Sequence, residues 1–182
     1  MVSDIVKTRA VFLDRDGVLI NTFVRDGIPR PAADLSQFQI LPGVEEALLA
    51  LREHRFSLLV VTNQPDVARG TQSKQTVEQI NNHLLNHLPL DGIYTCYHDT
   101  PDQCDCRKPR PGMLLRAAAE HGVKLSDSFM VGDRGSDIAA GLAAGCRTIL
   151  IERPYSRCDP IKPHFKAADL REAAELVLRS ER

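Results

Sequence analysis

The sequence predicts an α/β protein built on a doubly wound parallel sheet. Short apolar runs rich in β-branched and aromatic residues alternate along the chain with segments whose apolar residues recur at helical spacing. Several of these runs stop at polar residues or glycine, as the buried strands of a parallel sheet do. Strands that alternate with helices form right-handed βαβ units, and these units build a doubly wound sheet.

The first predicted strand, residues 9–13, ends at two carboxylates, Asp14 and Asp16, which are followed by Gly17. Glycine allows the chain to turn sharply at this point. Residues 21–41, the flap, come next and contain several prolines without a sustained periodicity. A connection of this length is usually functional, so we expect it to cover a site. It is too short to hold a separate cap domain.

The later elements follow in alternation. Further strands are predicted over residues 56–61, 92–98, 128–131 and 148–151, and helices over residues 43–54, 74–88, 113–121, 137–144 and 168–179. Ser73 or Thr71 offers a side-chain oxygen to cap the second helix. The last helix is expected to dock on the sheet, and residues 154–163 are expected to form an exposed loop.

Length and composition indicate one ordinary globular domain. The 182 residues suffice for a single domain with a substantial core, and they are 43% hydrophobic with a net charge of −1. This near-neutral balance lacks the excess of positive charge that is typical of proteins that bind nucleic acid or an anionic membrane. Apolar runs stay well short of the ~18 residues of a membrane span, and residues 1–10 lack the apolar core of a signal peptide. We expect a cytoplasmic protein and, without an evident apolar dimer seam, a monomer.

Three of the five cysteines lie close to a histidine in one polar loop, residues 96–106, here called the zinc loop. The cluster comprises Cys96, His98, Cys104 and Cys106. Three thiolates and one imidazole are a complete tetrahedral set for Zn²⁺, which leaves no position for a reacting water, so the zinc is predicted to be structural. The alternative is a set of buried free thiols, which a polar loop accommodates poorly. The loop runs directly into Arg107 and Lys108, so the metal would fix the segment that carries both cations.

Polar residues unsuited to a core follow several predicted elements. They are Asp14 and Asp16, Thr62 and Asn63, Arg107 and Lys108, and Asp133 and Asp137. Each pair alone could be a turn, a solvated pair or a helix start. Ligands of open α/β sheets bind beyond the carboxyl ends of the strands. There, these groups supply what phosphoryl transfer needs: a nucleophilic carboxylate, a second acid, donors for phosphoryl oxygens and ligands for a hard cation.

These segments resemble, in order, the four motifs of the haloacid dehalogenase superfamily of phosphohydrolases. The matching motifs are Asp14-x-Asp16-Gly17, Val61-Thr62-Asn63, Lys108 and Gly132-Asp133-x-x-x-Asp137. A finer pattern is similar to that of the D,D-heptose 1,7-bisphosphate phosphatases, and the histidinol-phosphate phosphatases share much of it. It consists of Phe12-Leu13-Asp14-Arg15-Asp16-Gly17, Thr62-Asn63-Gln64, Ala68-Arg69-Gly70 and Cys104-Asp105-Cys106-Arg107-Lys108-Pro109.

The resemblance implies a role for each matching residue. Asp14 would be the nucleophile that forms an aspartyl phosphate and would also bind Mg²⁺. Asp16 would protonate the leaving group, activate water and offer its backbone carbonyl to the metal. Thr62 and Lys108 would stabilise the phosphoryl oxygens, and Asp133 would complete the Mg²⁺ site. The residues expected to contact the rest of the substrate are Asn63, Gln64, Arg107 and Arg134, while Asp137 is expected beside the metal ligands rather than among them.

The implied activity is that of a Mg²⁺-dependent phosphatase acting on a small phosphorylated metabolite. The first choice of substrate is D-glycero-D-manno-heptose 1,7-bisphosphate, cleaved at the 7-phosphate to give heptose 1-phosphate, and histidinol phosphate is the alternative. Residues 23–29 and 31–35 and the Pro65-Asp66 pair depart from the heptose pattern, which leaves the sugar and its anomer open. An inactive zinc-stabilised binding protein and a dehalogenase are further alternatives. The intact acids and lysine argue against an inactive binding protein. Asp16 and the metal-binding acids argue against a dehalogenase.

Overall fold

The computed structural model describes residues 8–25, 27–156 and 160–180. Its strands are β1 (Ala10–Leu13), β2 (Phe23–Arg25), β3 (Ile28–Arg30), β4 (Ser57–Asn63), β5 (Gly92–Cys96), β6 (Phe129–Gly132), β7 (Arg147–Ile151) and β8 (Phe165–Ala167). Its helices are α1 (Val44–Glu53), α2 (Lys74–His87), α3 (Gly112–His121), α4 (Gly135–Ala144) and α5 (Leu170–Arg179). Two single turns of 3₁₀ helix cover Thr100–Asp102 and Leu125–Asp127.

Six strands form one sheet in the order β5-β4-β1-β6-β7-β8, and each neighbouring pair is parallel. From β1 the chain first builds one half of the sheet, through β4 and β5, and then returns to build the other half through β6, β7 and β8. The strand order therefore reverses beside β1. Ligands of doubly wound sheets bind beyond the carboxyl ends of the strands at such a reversal. This topology places a binding cleft after β1, β4 and β6.

Apolar side chains cover both faces of the sheet, so two core clusters form. Val11 and Leu13 of β1 belong to the cluster that also contains residues of α1, α2 and α5. Ala10 and Phe12 belong to the other cluster, with residues of α3 and α4. The alternation of faces along β1 follows from the two-residue period of a strand. Helices on both faces confirm the predicted doubly wound α/β fold, and α5 docks on it as expected.

All the elements predicted from the sequence are present, with ends shifted by no more than two residues. Of the two proposed caps for α2, Ser73 is the one in use, since its hydroxyl accepts a hydrogen bond from the Thr76 amide. Strand β8 was not predicted. It consists of three residues, which is too short to give a recognisable sequence pattern. It joins the sheet by pairing with β7.

The flap contains the antiparallel hairpin of β2 and β3, in which Phe23 lies opposite Arg30. Its two ends are held together, because Asn21 exchanges hydrogen bonds with the segment around Gln39. The flap also lines the cleft at the carboxyl edge of the sheet, through Pro29, Arg30 and Pro31. Across the described ranges of the chain, none of the helices combines the length and the apolar character needed to cross a membrane.

Candidate active site

A cleft of about 380 Å³ opens at the carboxyl ends of β1, β4 and β6. Asp14 and Asp16 reach it directly after β1, and Asp133 follows β6. Lys108 enters from the loop before α3. Of the residues predicted to form the site, those that line the cleft are Asp14, Asp16, Asn63, Gln64, Arg107, Lys108, Arg134 and Asp137. The fold therefore brings together groups that are more than 120 residues apart in sequence.

Three buried carboxylates form the floor of the site. Asp14, Asp133 and Asp137 each offer one oxygen, and these oxygens lie within 4.8 Å of one another. Burial, reinforced by the neighbouring carboxylates Asp14 and Asp137, raises the pKa of Asp133 to about 8. Burial also raises the pKa of Asp137. One oxygen of Asp133, Oδ1, is buried without a hydrogen-bond partner in the described part of the chain. Such a set of mutually repelling oxygens fits a hard cation such as Mg²⁺.

Lys108 places one positive charge against this floor. Its ammonium group lies 2.8 Å from Asp14 Oδ1 and 2.7 Å from Asp137 Oδ1, and it donates a third hydrogen bond to the Val61 carbonyl. Burial opposes the charged form of Lys108, but the carboxylates of Asp137 and Asp14 outweigh it and raise the pKa of the ammonium group. The ammonium group of Lys108 therefore lies between Asp14 and Asp137 and offsets part of their charge. Asp137, expected beside the metal ligands, contacts both the lysine and the acid cluster.

Asn63 and Gln64 bond to protein groups of the site. The Asn63 amide donates to the Lys108 carbonyl at 3.0 Å and accepts from the Lys108 backbone N–H at 3.1 Å. The end of β4 thus fixes the backbone of the lysine. Gln64 Nε2 donates to Asp16 Oδ2 at 2.7 Å and to the hydroxyl of Thr62 at 2.9 Å.

Arg15, which is not among the predicted site residues, also holds Asp16. Its side chain is completely buried, and its Nη2 lies 3.0 Å from Asp16 Oδ2. Its Nη1 donates to Asn81 Oδ1 of α2 at 2.9 Å. An arginine between two acids at the end of a strand is typical of a polar turn, so the sequence does not predict that its side chain is buried.

Gly17 closes the first loop in a conformation that suits glycine, with φ of +84°. A β-carbon at this position would lie 2.1 Å from Asp133 Oδ2 and 2.6 Å from the hydroxyl of Tyr155. The sequence predicts an exposed loop over residues 154–163. For its first residues this expectation is wrong, because Tyr155 and Ser156 are half-buried and both contact Asp133. Residues 157–159 of that prediction lie outside the described residues.

The four predicted zinc ligands converge beside the cleft. The sulfur atoms of Cys96, Cys104 and Cys106 are separated by 3.1, 3.4 and 3.7 Å, and His98 Nδ1 lies 3.3 Å from Cys106 Sγ. These separations far exceed a disulfide bond of ~2.05 Å. They are close to the edges, roughly 3.8 Å for two sulfurs, of a tetrahedron with ~2.3 Å metal–sulfur bonds. The cluster can therefore hold a metal ion.

Arginines surround the acidic floor. Arg30 from the flap, Arg69, Arg107 and Arg134 line the cleft. Asp99 links two of them, since it accepts hydrogen bonds of 2.6 and 2.8 Å from Arg69 and lies 3.5 Å from Arg107. The hydrogen bonds from Arg69 lower the pKa of Asp99 to about 2. Arg30 and Arg69 were not predicted as site residues, because only the fold brings them to the cleft.

A doubly wound sheet whose reversal point carries an Asp-x-Asp pair, a buried lysine and a second pair of acids defines a haloacid dehalogenase-like hydrolase. A family profile described as HAD-hydrolase-like matches residues 105–173. D-glycero-beta-D-manno-heptose-1,7-bisphosphate 7-phosphatase from Helicobacter pylori is 36% identical over 93% of this chain and 97% of its own length. The enzyme of the same name from Photorhabdus laumondii is 40% identical over 94% of this chain and 90% of its own.

The solved structures agree with this assignment. A D,D-heptose 1,7-bisphosphate phosphatase from B. bronchiseptica, crystallised with magnesium and phosphate, is 27% identical with a TM-score of 0.73, covering 95% of this chain and 99% of its own. The chain belongs to the D-glycero-beta-D-manno-heptose-1,7-bisphosphate 7-phosphatase family. The predicted enzyme class, a phosphatase of the haloacid dehalogenase superfamily, is thereby confirmed.

Proposed function

We propose that this enzyme hydrolyses the 7-phosphate of D-glycero-D-manno-heptose 1,7-bisphosphate and releases heptose 1-phosphate. The observation that carries the proposal is the division of charge in the cleft. Its floor holds a carboxylate nucleophile 2.8 Å from a buried ammonium group, and its rim holds four arginines. A substrate with two phosphates suits this arrangement, because one phosphate can react at the floor while arginines bind the other. The relatives described above carry this activity in their names.

In the proposed reaction, Asp14 attacks phosphorus while the bond to the sugar oxygen breaks, and Asp16 gives its proton to that oxygen. Asp16 then takes a proton from water, whose oxygen attacks the phosphorus of the aspartyl phosphate, and phosphate leaves as Asp14 is regenerated. A positioned acid and base of this kind is worth ~10²–10⁴ in rate. Arg15 and Gln64 hold the Asp16 carboxylate in place for both steps.

The repulsion between an anionic nucleophile and an anionic phosphate is the main obstacle to attack. Lys108, together with the hydroxyl of Thr62, would hold the phosphoryl oxygens and offset part of this charge. Mg²⁺ would be held by Asp14, Asp133 and the backbone carbonyl of Asp16, and it would neutralise the remaining negative charge when bound.

The other predicted substrate-binding residues divide into two groups. Asn63 and Gln64 position Lys108 and Asp16 through the hydrogen bonds described above, so we assign them a positioning role. Arg107 and Arg134 would bind the sugar or its second phosphate, assisted by Arg30 and Arg69. These four side chains all line the cleft, where they can reach a bound ligand.

We further propose that Cys96, His98, Cys104 and Cys106 bind a structural Zn²⁺. The ion would fix the loop that leads into Arg107, whose guanidinium donates to the His98 carbonyl at 3.2 Å. Support comes from the four convergent ligand atoms. We also propose that residues 1–182 form one catalytic domain that works as a cytoplasmic monomer.

The test is phosphate release with Mg²⁺ from both anomers of heptose 1,7-bisphosphate, histidinol phosphate and ordinary sugar phosphates. We expect a preference of about 100-fold or more for one heptose anomer, equivalent to ~2.7 kcal/mol of transition-state stabilisation. Arg107→Gln should raise KM for the bisphosphate far more than for an aryl phosphate, whereas Arg116→Gln, on the exposed face of α3, should change neither. A preference for histidinol phosphate, or equal slow turnover of all substrates, would overturn the assignment.

A further inference from the structure

The segment directly after β7, residues 152–156, touches both the first loop and the acid cluster. Arg153 donates to the Gly17 carbonyl with Nε at 3.1 Å and Nη2 at 2.9 Å. The hydroxyl of Ser156 donates to the Asp133 carbonyl at 2.6 Å and accepts from the Arg153 N–H at 2.9 Å. This segment, here called the β7 clamp, therefore joins the loop after β1 to the loop after β6.

Tyr155 of the β7 clamp binds the side chain of Asp133. Its hydroxyl lies 2.7 Å from Asp133 Oδ2 and 2.9 Å from the hydroxyl of Thr22, at the start of the flap. The Tyr155 hydroxyl donates to Asp133, and because a phenol has a single proton, it accepts its second hydrogen bond from Thr22.

The two oxygens of Asp133 thus have different surroundings. Oδ2 receives the tyrosine hydroxyl, whereas Oδ1 is buried without a hydrogen-bond partner among the residues that the structure describes and lies 3.9 Å from Arg134 Nε. Gly17 leaves no room for movement on this side, since even a β-carbon there would overlap Asp133 Oδ2. A carboxylate fixed through one oxygen keeps the other available to a cation without a further loss of rotational freedom.

We propose that Tyr155 is a positioning residue for the divalent cation: it fixes the carboxylate of Asp133 for metal binding, and Thr22 orients its hydroxyl. This inference rests on the proposed Mg²⁺-dependent phosphatase but not on the identity of its substrate. It also connects the flap to the metal site, because Thr22 belongs to the flap.

The test is Mg²⁺ binding to the zinc-loaded full chain without substrate, measured by calorimetry and checked by competition with Mn²⁺ in electron paramagnetic resonance. Loss of a partner that orients a metal ligand weakens metal binding roughly 10- to 100-fold. We expect Tyr155→Phe to raise the Mg²⁺ dissociation constant about 10-fold and Thr22→Val to raise it less. In the Tyr155→Phe background, Thr22→Val should have little further effect, because Thr22 acts through the tyrosine hydroxyl.

Tyr94→Phe is the matched control. It also removes a hydrogen bond from a tyrosine to a carboxylate, at 2.6 Å to Glu120, but at the β5 edge of the sheet. It should leave Mg²⁺ affinity unchanged. Tyr155→Phe should lower the melting temperature without Mg²⁺ no more than this control does. An unchanged or tighter Mg²⁺ affinity in Tyr155→Phe, or an equal loss in Tyr94→Phe, would overturn the inference. If Tyr155→Phe fails to fold, an unchanged affinity in Thr22→Val overturns it instead. If the wild-type protein itself bound no Mg²⁺, the proposed function would fail.

Discussion

Lys108→Met removes an ammonium group from among the buried carboxylates while keeping much of the side-chain volume. This group lies 2.8 Å from Asp14 and 2.7 Å from Asp137, and its side chain is 1% exposed. At an effective dielectric constant of about 20, each contact contributes roughly 6 kcal/mol of attraction before the cost of desolvation. Removing one partner of a buried ion pair costs about 3–5 kcal/mol net. We therefore expect the free energy of unfolding at neutral pH, without Mg²⁺, to fall by about that amount.

The loss should become smaller as the pH falls. Burial raises the pKa of Asp137, and Lys108 opposes this rise in the wild-type protein. Without Lys108 the pKa of Asp137 in the folded state rises further, so the folded variant binds protons that the unfolded chain has released. For a carboxyl group with a raised folded-state pKa, stability decreases as the pH rises towards that pKa. The difference from the wild type is therefore greatest at neutral pH and above.

The measurement is urea unfolding of the zinc-loaded proteins at about pH 5 and about pH 7.5, without and with Mg²⁺. Mg²⁺ should restore part of the stability of Lys108→Met, because the cation replaces the missing charge, but it should not restore turnover. Lys124→Met, at an exposed lysine, should behave as the wild type. A loss below about 1 kcal/mol at neutral pH, or a loss that grows as the pH falls, would refute the account of the charged floor.

Three further predictions follow from the site. Asp14→Asn should abolish turnover in the Mg²⁺-saturated protein, and phosphate release near the wild-type rate would contradict a nucleophilic Asp14. Metal analysis of protein purified without chelator should find about one zinc per chain. A zinc-selective chelator should lower activity despite excess Mg²⁺. An unaffected rate would show that the zinc loop does not position Arg107 and Lys108. Gly17→Ala should weaken Mg²⁺ binding and lower the melting temperature, since its β-carbon would overlap Asp133 Oδ2. Gly27→Ala is the control, because Gly27 has a similar φ but open space around it. Both variants strain the backbone, so a difference between them reports the overlap with Asp133. Equal Mg²⁺ affinity in the two glycine variants would refute the steric argument.

The sequence predicts the sheet, and it predicts that acidic side chains lie together at the carboxyl edge of the sheet, for a physical reason. The run Ala10–Leu13 is apolar throughout because both faces of β1 are buried, so the polar residues that follow it mark the edge of the core. Arg15 and Tyr155 could not be found in this way. An arginine beside two acids is usually solvated, and its burial here depends on Asn81 of α2. Tyr155 follows β7 in a stretch without a charge pattern, and only the neighbouring positions of β6 and β7 bring it to Asp133.

The charges of the site fit the proposed roles of a metal and of the arginine rim. Among the described residues, four carboxylates, Asp14, Asp16, Asp133 and Asp137, pair with three cations, Arg15, Lys108 and Arg134, which leaves an excess of one negative charge when all four are ionised. A divalent cation bound there would more than offset this excess, whereas without it an incoming phosphate would meet a negative surface. The phosphate then adds charge that Lys108, already paired with two carboxylates, can balance only in part. The arginines of the rim lie where a second phosphate would bring more negative charge. In the proposed function, the metal would therefore make the floor accessible to phosphate, while the arginines of the rim would select which phosphorylated molecule binds there.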